Sequence, residues 1–143
     1  MPSRDATTHW EGGLQAGKGE ITLDSSNAGQ FPVSFPTRAG NPDGQTSPEE
    51  LIAAAHSSCF AMSLSNLLEQ GGHPPTSLDV SADVTLDRTP DGFMITGIAL
   101  TARGTAPGVD AAEFDRLAHS AKETCPVSRA LTGTTITLDA ALD

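Results

Sequence analysis

Two cysteines carry most of the chemical interest in this 143-residue sequence. Cys59 sits midway along a run without charged side chains, and Cys125 directly precedes Pro126. Two are too few for a disulfide-stapled secreted scaffold, and Met1-Pro2-Ser3-Arg4-Asp5 lacks the apolar stretch of a signal peptide. The expected location is therefore the cytoplasm. There a thiol pair either fills the core, as buried cysteines often do, or performs redox or nucleophilic chemistry. Attack on a peroxide needs a thiolate, and the middle of a helix gives a thiolate little dipole help, so a cation must come from elsewhere. The chain has eight Lys+Arg. Among them Arg38, just ahead of Gly40-Asn41-Pro42-Asp43-Gly44, can reach a site or can remain a solvated loop charge.

Other polar residues near the cysteines have bland and sharp readings. His56 precedes Cys59 by three residues and so shares its helix face. It can tune the thiol, act as a base, or sit in the core satisfied by a backbone carbonyl, and the last is the simplest. Cys59, His56, Cys125 and His119 have the ligand types of tetrahedral zinc, but no Cys-x-x-Cys spacing supports it, and no metal is expected. Ser128 and Arg129 orient the turn after Cys125 or merely cap it. His9 and His73 stand beside turn signals and read as surface residues. The acidic group Asp110, Glu113 and Asp115 is most simply a solvated helix start.

The elements that must position these residues are legible from pattern. Glu20–Leu23 and Val33–Phe35 are short alternating runs among glycines and read as strands. Ser47 is a good N-cap, Pro48 suits a first helical position, and Glu50 completes a capping box, so a helix runs from Ser47 to about Gln70 and stops at Gly71-Gly72. Its stretch from Leu51 to Leu68 holds no Asp, Glu, Lys or Arg. A membrane span is the lesser reading: the stretch carries His56, Asn66 and four serines and has no flanking basic residues. A helix this free of charge is expected to be buried on all sides, inside a sheet or a dimer. Ser77–Leu86 and Phe93–Arg103 alternate around Asp91-Gly92 as a long hairpin. Asp110 to about Glu123 is a second helix, and Thr134–Leu142 is a final strand. The order β-β-β-α-β-β-α-β predicts an α+β fold with mostly antiparallel pairing, in one domain over residues 1–143.

Composition narrows the function. Eight basic against eighteen acidic residues give a net charge of −10, which argues against binding nucleic acid or anionic membranes. Five Phe, one Trp and no Tyr leave an aliphatic, Ala-rich core and no base-stacking platform. Oligomerisation is a common remedy for so small a core.

Two motifs at a characteristic spacing add a resemblance. Ser47-Pro48-Glu49-Glu50-Leu51-Ile52-Ala53-Ala54-Ala55-His56-Ser57-Ser58-Cys59-Phe60-Ala61-Met62-Ser63-Leu64-Ser65 resembles the first-cysteine helix of the OsmC/Ohr family of organic hydroperoxide reductases. Cys125-Pro126-Val127-Ser128-Arg129-Ala130-Leu131 resembles its second-cysteine motif, 66 residues on. Trp10-Glu11-Gly12, Gly17-Lys18-Gly19, the Arg38 region and Val127 look like the OsmC branch. The resemblance implies an OsmC-like fold: sheets around two central helices, in an intertwined homodimer. It implies that Cys59 is the peroxidatic and Cys125 the resolving cysteine, that Arg38 stabilises the Cys59 thiolate, and that Glu49 orients Arg38. No cofactor is implied, since the electrons pass through sulfur. The substrate would be an organic hydroperoxide, for instance of a lipid or fatty acid, and the reductant an external dithiol, in this family often of lipoyl type. Phe35, Phe60 and Met62 are candidate pocket walls beside an ordinary packing role. Ala39 stands where many relatives have Phe, and Ser47 where Asn is common.

Helix geometry adds a constraint. Glu49 and Cys59 are ten residues apart on one helix, about 15 Å along its axis. An arginine held on Glu49 would therefore serve Cys59 of a partner chain more readily than its own, which predicts active sites straddling the dimer interface. Two other classes remain open: a non-catalytic thiol redox sensor or small-molecule binder using the same cysteine pair, and a hydrolase built on Cys59 and His56, which would not need Cys125.

Overall fold

The computed structural model describes residues 1–143 and places the elements in the order β1 (Thr7–Glu11), β2 (Lys18–Thr22), β3 (Gln30–Val33), α1 (Phe35–Ala39), α2 (Pro48–Gln70), β4 (Ser77–Thr89), β5 (Gly92–Thr105), α3 (Ala111–Thr124), α4 (Pro126–Ala130) and β6 (Thr135–Leu142). Two units divide the chain, Met1–Leu51 and Ile52–Asp143. The fold class is α+β, as the pattern predicts.

In the N-terminal unit β1, β2 and β3 form an antiparallel meander. Glycine is needed where the indole of Trp10 lies across β2: a Cβ on Gly19 would stand 2.8 Å from its ring. The expected strand Val33–Phe35 ends early, at Val33. Ser34 instead caps α1, its hydroxyl accepting from the Thr37 backbone N–H, with Pro36 in the first turn. That short helix carries Arg38 in its last turn.

In the C-terminal unit β4 and β5 pair antiparallel through a two-residue loop, with Gly92 at a φ of 108°. β6 then lies parallel to β5, reached by the crossover through α3 and α4. The core stacks Phe60, Leu64 and Leu68 of α2 with Ile98, Leu100 and Ala102 of β5 and Phe114, Leu117, Ala118 and Ala121 of α3. Small alanines fill much of it, as the scarcity of aromatics implies.

Within a single chain the burial of α2 is one-sided. By length and composition α2 could cross a bilayer, at a mean hydropathy of 1.3, yet within the chain it is not buried on all sides. The four-residue stripe His56, Phe60, Leu64, Leu68 is buried, while Ala54, Ala55, Ser58, Met62 and Asn66 are exposed. The chain's own fold covers one side of a helix whose stretch from Leu51 to Leu68 carries no charge on any side.

Candidate functional site

The cap of α2 divides the labour between its two acidic residues. Ser47 Oγ accepts the Glu50 backbone N–H at 3.1 Å, and the Glu50 carboxylate takes the Thr46 hydroxyl at 2.6 Å. Glu50 is thus occupied in the loop before the helix. The nearly buried Glu49 instead receives Arg38: Nε lies 3.0 and 3.1 Å from its two carboxylate oxygens and Nη2 2.7 Å from Oε1. Such a fork fixes the guanidinium plane as well as its charge. The arginine side chain keeps about a third of its surface exposed. It also forms part of the wall of a cavity of about 290 Å³, whose lining includes Trp10, Leu14, Ile21, Val33 and Phe35. Phe35, one of the candidate pocket walls, lines this cavity. The arrangement is an apolar pocket with one oriented cation, suited to a molecule with an apolar tail and a polar head.

The thiols meet within the C-terminal unit. Cys125 links two helices: its N–H closes the last turn of α3 on the Ala121 carbonyl, and its own carbonyl accepts from Arg129 in α4. Pro126 starts the second helix at the position where proline is tolerated. This corner brings Cys125 Sγ to 3.0 Å from Cys59 Sγ. Both thiols are free, Cys125 fully buried and Cys59 partly exposed. Cys59 opens on a cleft of about 370 Å³ with Ser58, Met62, Ser63, Asn66 and Pro126. Met62 is a cleft wall and highly exposed, whereas Phe60 is fully buried in the core. The pocket-wall expectation for Phe60 is therefore corrected: it shares the α2 stripe that packs on β5 and α3.

The two thiols form a hydrogen bond with each other. Burial pushes the Cys59 thiol up, the adjacent Cys125 adds to that, and the Val127 backbone N–H and the Ser63 hydroxyl oppose it. Burial pushes Cys125 up too, but the hydrogen bonds of Cys59, the backbone N–H groups of Ser128 and Val127 and the Ser128 hydroxyl outweigh it, so Cys125 is held below its usual value. Within one chain the thiolate is therefore favoured at Cys125 over Cys59.

His56 has a different partner from the backbone carbonyl expected of a core histidine. Its Nε2 lies 2.7 Å from Ser128 Oγ, both residues buried, and its Nδ1 has no partner. Burial pushes its pKa down. His119 is brought to neither thiol: it is exposed on α3, where its Nδ1 faces the Asp115 carbonyl. The His56–Ser128 contact spans 72 residues, and no sequence spacing announces it. Its only prior signal is a histidine one turn before a cysteine in an uncharged helix.

Comparison with known proteins places these features in a family. The profile described as OsmC-like protein matches residues 40–139. The chain is 48% identical over 131 residues, 92% of its length and 90% of the relative's, to peroxiredoxin OsmC of Escherichia coli K12. It is 31% identical over 113 residues, 78% of each chain, to an organic hydroperoxide resistance protein of Xanthomonas axonopodis pv. citri. A crystal structure of an organic hydroperoxide resistance protein from Elizabethkingia anophelis superposes with a TM-score of 0.80 at 27% identity, over 100% of this chain and 98% of that one.

Proposed function

This chain belongs to the OsmC-like family, and we propose that it is a thiol-dependent peroxidase that reduces organic hydroperoxides to alcohols. The observation that carries this reading is the pair of thiols 3.0 Å apart, one open to a cleft and one buried. A Cys59 thiolate attacks the peroxide oxygen and breaks the O–O bond, releasing the alcohol and leaving a sulfenic acid. The Cys125 sulfur then displaces the sulfenate oxygen as water and forms the disulfide. An external dithiol, of lipoyl type in the reading adopted here, restores both thiols by exchange and leaves as its own cyclic disulfide. Atoms and electrons balance through sulfur alone.

The remaining requirement is a cation for Cys59. Arg38, held by Glu49, is the oriented candidate. About 15 Å of helix axis between Glu49 and Cys59 favours delivery of the partner's Arg38 in a homodimer. The exposed, uncharged face of α2 around Met62 supports such an assembly, since an apolar face of this kind gains by being covered. In that assembly the apolar cavity beside the partner's Arg38 takes the alkyl tail, worth about 25 cal/mol for each Å² buried. This favours organic hydroperoxides over hydrogen peroxide. The whole of residues 1–143 then works as one functional domain, in the cytoplasm.

The test is steady-state peroxide consumption with a small dithiol, comparing cumene or tert-butyl hydroperoxide with hydrogen peroxide. Fast turnover of the organic peroxides that disappears in Cys59→Ser is the expected result. Absence of turnover with every dithiol overturns the reading in favour of a sensor or binder.

A further inference from the structure

The N-terminal unit holds its tryptophan in a fixed place, although the fold gains little from it. Trp10 is the single tryptophan of the chain. It stands on β1, a strand whose five residues are all exposed, and keeps 39% of its own surface open. A large apolar side chain left so open contributes little to a core. Two glycines nevertheless make room for it. The indole lies across Gly19, its cross-strand partner on β2, and against Gly17 just before that strand. A Cβ on Gly19 would stand 2.8 Å from ring atom Cε3, and one on Gly17 2.8 Å from Cζ2. Glycine inside a strand weakens it and marks a close approach. The indole N–H donates to the Gly12 carbonyl at 2.8 Å, which ties the ring to the loop between β1 and β2. The ring so held lines the same cavity of about 290 Å³ as Arg38.

We propose that Trp10 determines which hydroperoxides this chain accepts: its fixed indole is the wall against which an aryl or bulky alkyl tail packs, while Arg38 meets the polar head. The inference rests on the peroxidase reading and deepens it by naming the residue that selects the tail.

The rest of the lining shows why the selection falls to Trp10. Ile21 and Val33 are each 8% exposed and so are almost fully covered by the fold itself. Leu14 sits on the loop that the Trp10 N–H ties down. Trp10 combines a large open ring with a fixed position, and a wall that is already fixed loses little side-chain freedom when a ligand packs on it. Contact with an aromatic ring is worth up to about tenfold in binding beyond the area buried. A cumyl tail brings a ring of its own to that contact. A tert-butyl group covers less of the indole, and hydrogen peroxide has no tail to cover it. The expected order of reactivity is therefore cumene hydroperoxide, then tert-butyl hydroperoxide, then hydrogen peroxide, and the spread of that order should depend on Trp10.

Two measurements test this. In the first, the unreactive alcohol product 2-phenyl-2-propanol is titrated into the reduced protein while tryptophan emission is followed. With one tryptophan in the chain, the signal comes from the proposed wall alone. A saturable change that tert-butanol does not give at equal concentration is expected. Gly19→Ala, whose Cβ pushes the ring off its seat, should weaken that binding about tenfold. In the second, the second-order rate of thiol oxidation is measured with each of the three peroxides in wild type, Trp10→Leu and Trp10→Phe. Trp10→Leu should lower the rate with cumene hydroperoxide about tenfold and leave that with hydrogen peroxide within about twofold. Trp10→Phe, which keeps a ring, should hold the cumene rate to within about threefold of wild type. A merely structural role slows all three peroxides by the same factor. Such equal slowing in a Trp10→Leu chain that folds, or emission that 2-phenyl-2-propanol leaves unmoved, overturns the inference. Wild-type protein whose thiols react with none of the three peroxides overturns the peroxidase reading instead, and the emission titration then still decides whether the cavity takes the tail.

Discussion

If the partner's Arg38 activates Cys59, two defective chains should repair each other. The variants are Arg38→Ala, which keeps its cysteines, and Cys59→Ser, which keeps the Arg38–Glu49 pair. Co-expressed with different affinity tags and purified through both, they give a heterodimer. One of its two sites combines Cys59 of the first chain with Arg38 of the second, and the other site has neither. Helix geometry sets the contrast. Arg38 is held on Glu49 at 2.7–3.1 Å, and about 15 Å of α2 axis separates Glu49 from Cys59. An adjacent opposite charge lowers a thiol pKa by about 1–3 units. Taking two units, loss of the arginine cuts the thiolate a hundredfold; the compensating gain in nucleophilicity, about eightfold at a Brønsted slope near 0.45, leaves Arg38→Ala homodimers with about a tenth of wild-type activity. The heterodimer, with one complete site of two, should show about half of wild-type turnover of cumene hydroperoxide. An arrangement within one chain predicts about a twentieth, because the only Cys59 present then lacks its arginine. Heterodimers intact by native mass spectrometry and no more active than the Arg38→Ala parent would refute the shared site.

Three further expectations concern single residues. Cys125→Ser should consume about one equivalent of hydroperoxide and then stop; sustained turnover with a dithiol would show that Cys125 is dispensable and that the dithiol reduces the Cys59 sulfenic acid directly. Met62→Lys puts a charge on the exposed face of α2 without touching the chain's core, and it should weaken self-association by about 3 kcal/mol, a hundredfold in Kd, with the fold intact; sedimentation that matches wild type would place the contact elsewhere. His56 has a pKa lowered by burial, so as pH falls below about 6.5 the unfolded chain takes up its proton before the folded one does. Stability is then full above that pH and falls below it, by at most about 1.4 kcal/mol per pH unit, and urea melts of His56→Gln should lack this slope.

Local rules carried most of the architecture. The Ser47-Pro48 start of α2, the Asp91-Gly92 turn and the Asp110 cap of α3 are decided within a few residues, and the structure has each where those residues put it. Ser34 with Pro36 was a helix-start signal of the same kind, yet the apolar alternation of Val33 and Phe35 outweighed it and hid α1. Phe60 was legible in principle: four residues from His56 and from Leu64 and eight from Leu68, it has the phase of a core stripe, whereas Met62 lies on the other side. The parallel pairing of β6 with β5 and the His56–Ser128 contact depend on how distant segments return to one another, and nothing local fixes such contacts.

The two thiols are prepared unequally, and this bears on how the reaction is gated. Cys125 finds its stabilising donors within its own chain, on the turn it begins. Cys59 does not: burial and its neighbour push it up, and only a backbone N–H and a serine hydroxyl oppose them. If Cys59 attacks and Cys125 resolves, the chain favours its resolving thiolate and leaves its attacking sulfur in need of a cation. If the partner's Arg38 supplies that charge, assembly is what arms the attack. An unassembled chain would then be slow to form a sulfenic acid. Any it did form would lie 3.0 Å from a sulfur already poised to close on it, so the exposed, over-oxidisable intermediate would be short-lived in either state. Under this division Arg38→Ala should slow sulfenate formation while leaving disulfide closure near its wild-type rate. Measurement of the two steps separately decides it, because equal slowing of both steps in that variant would mean that the two sulfurs are activated together.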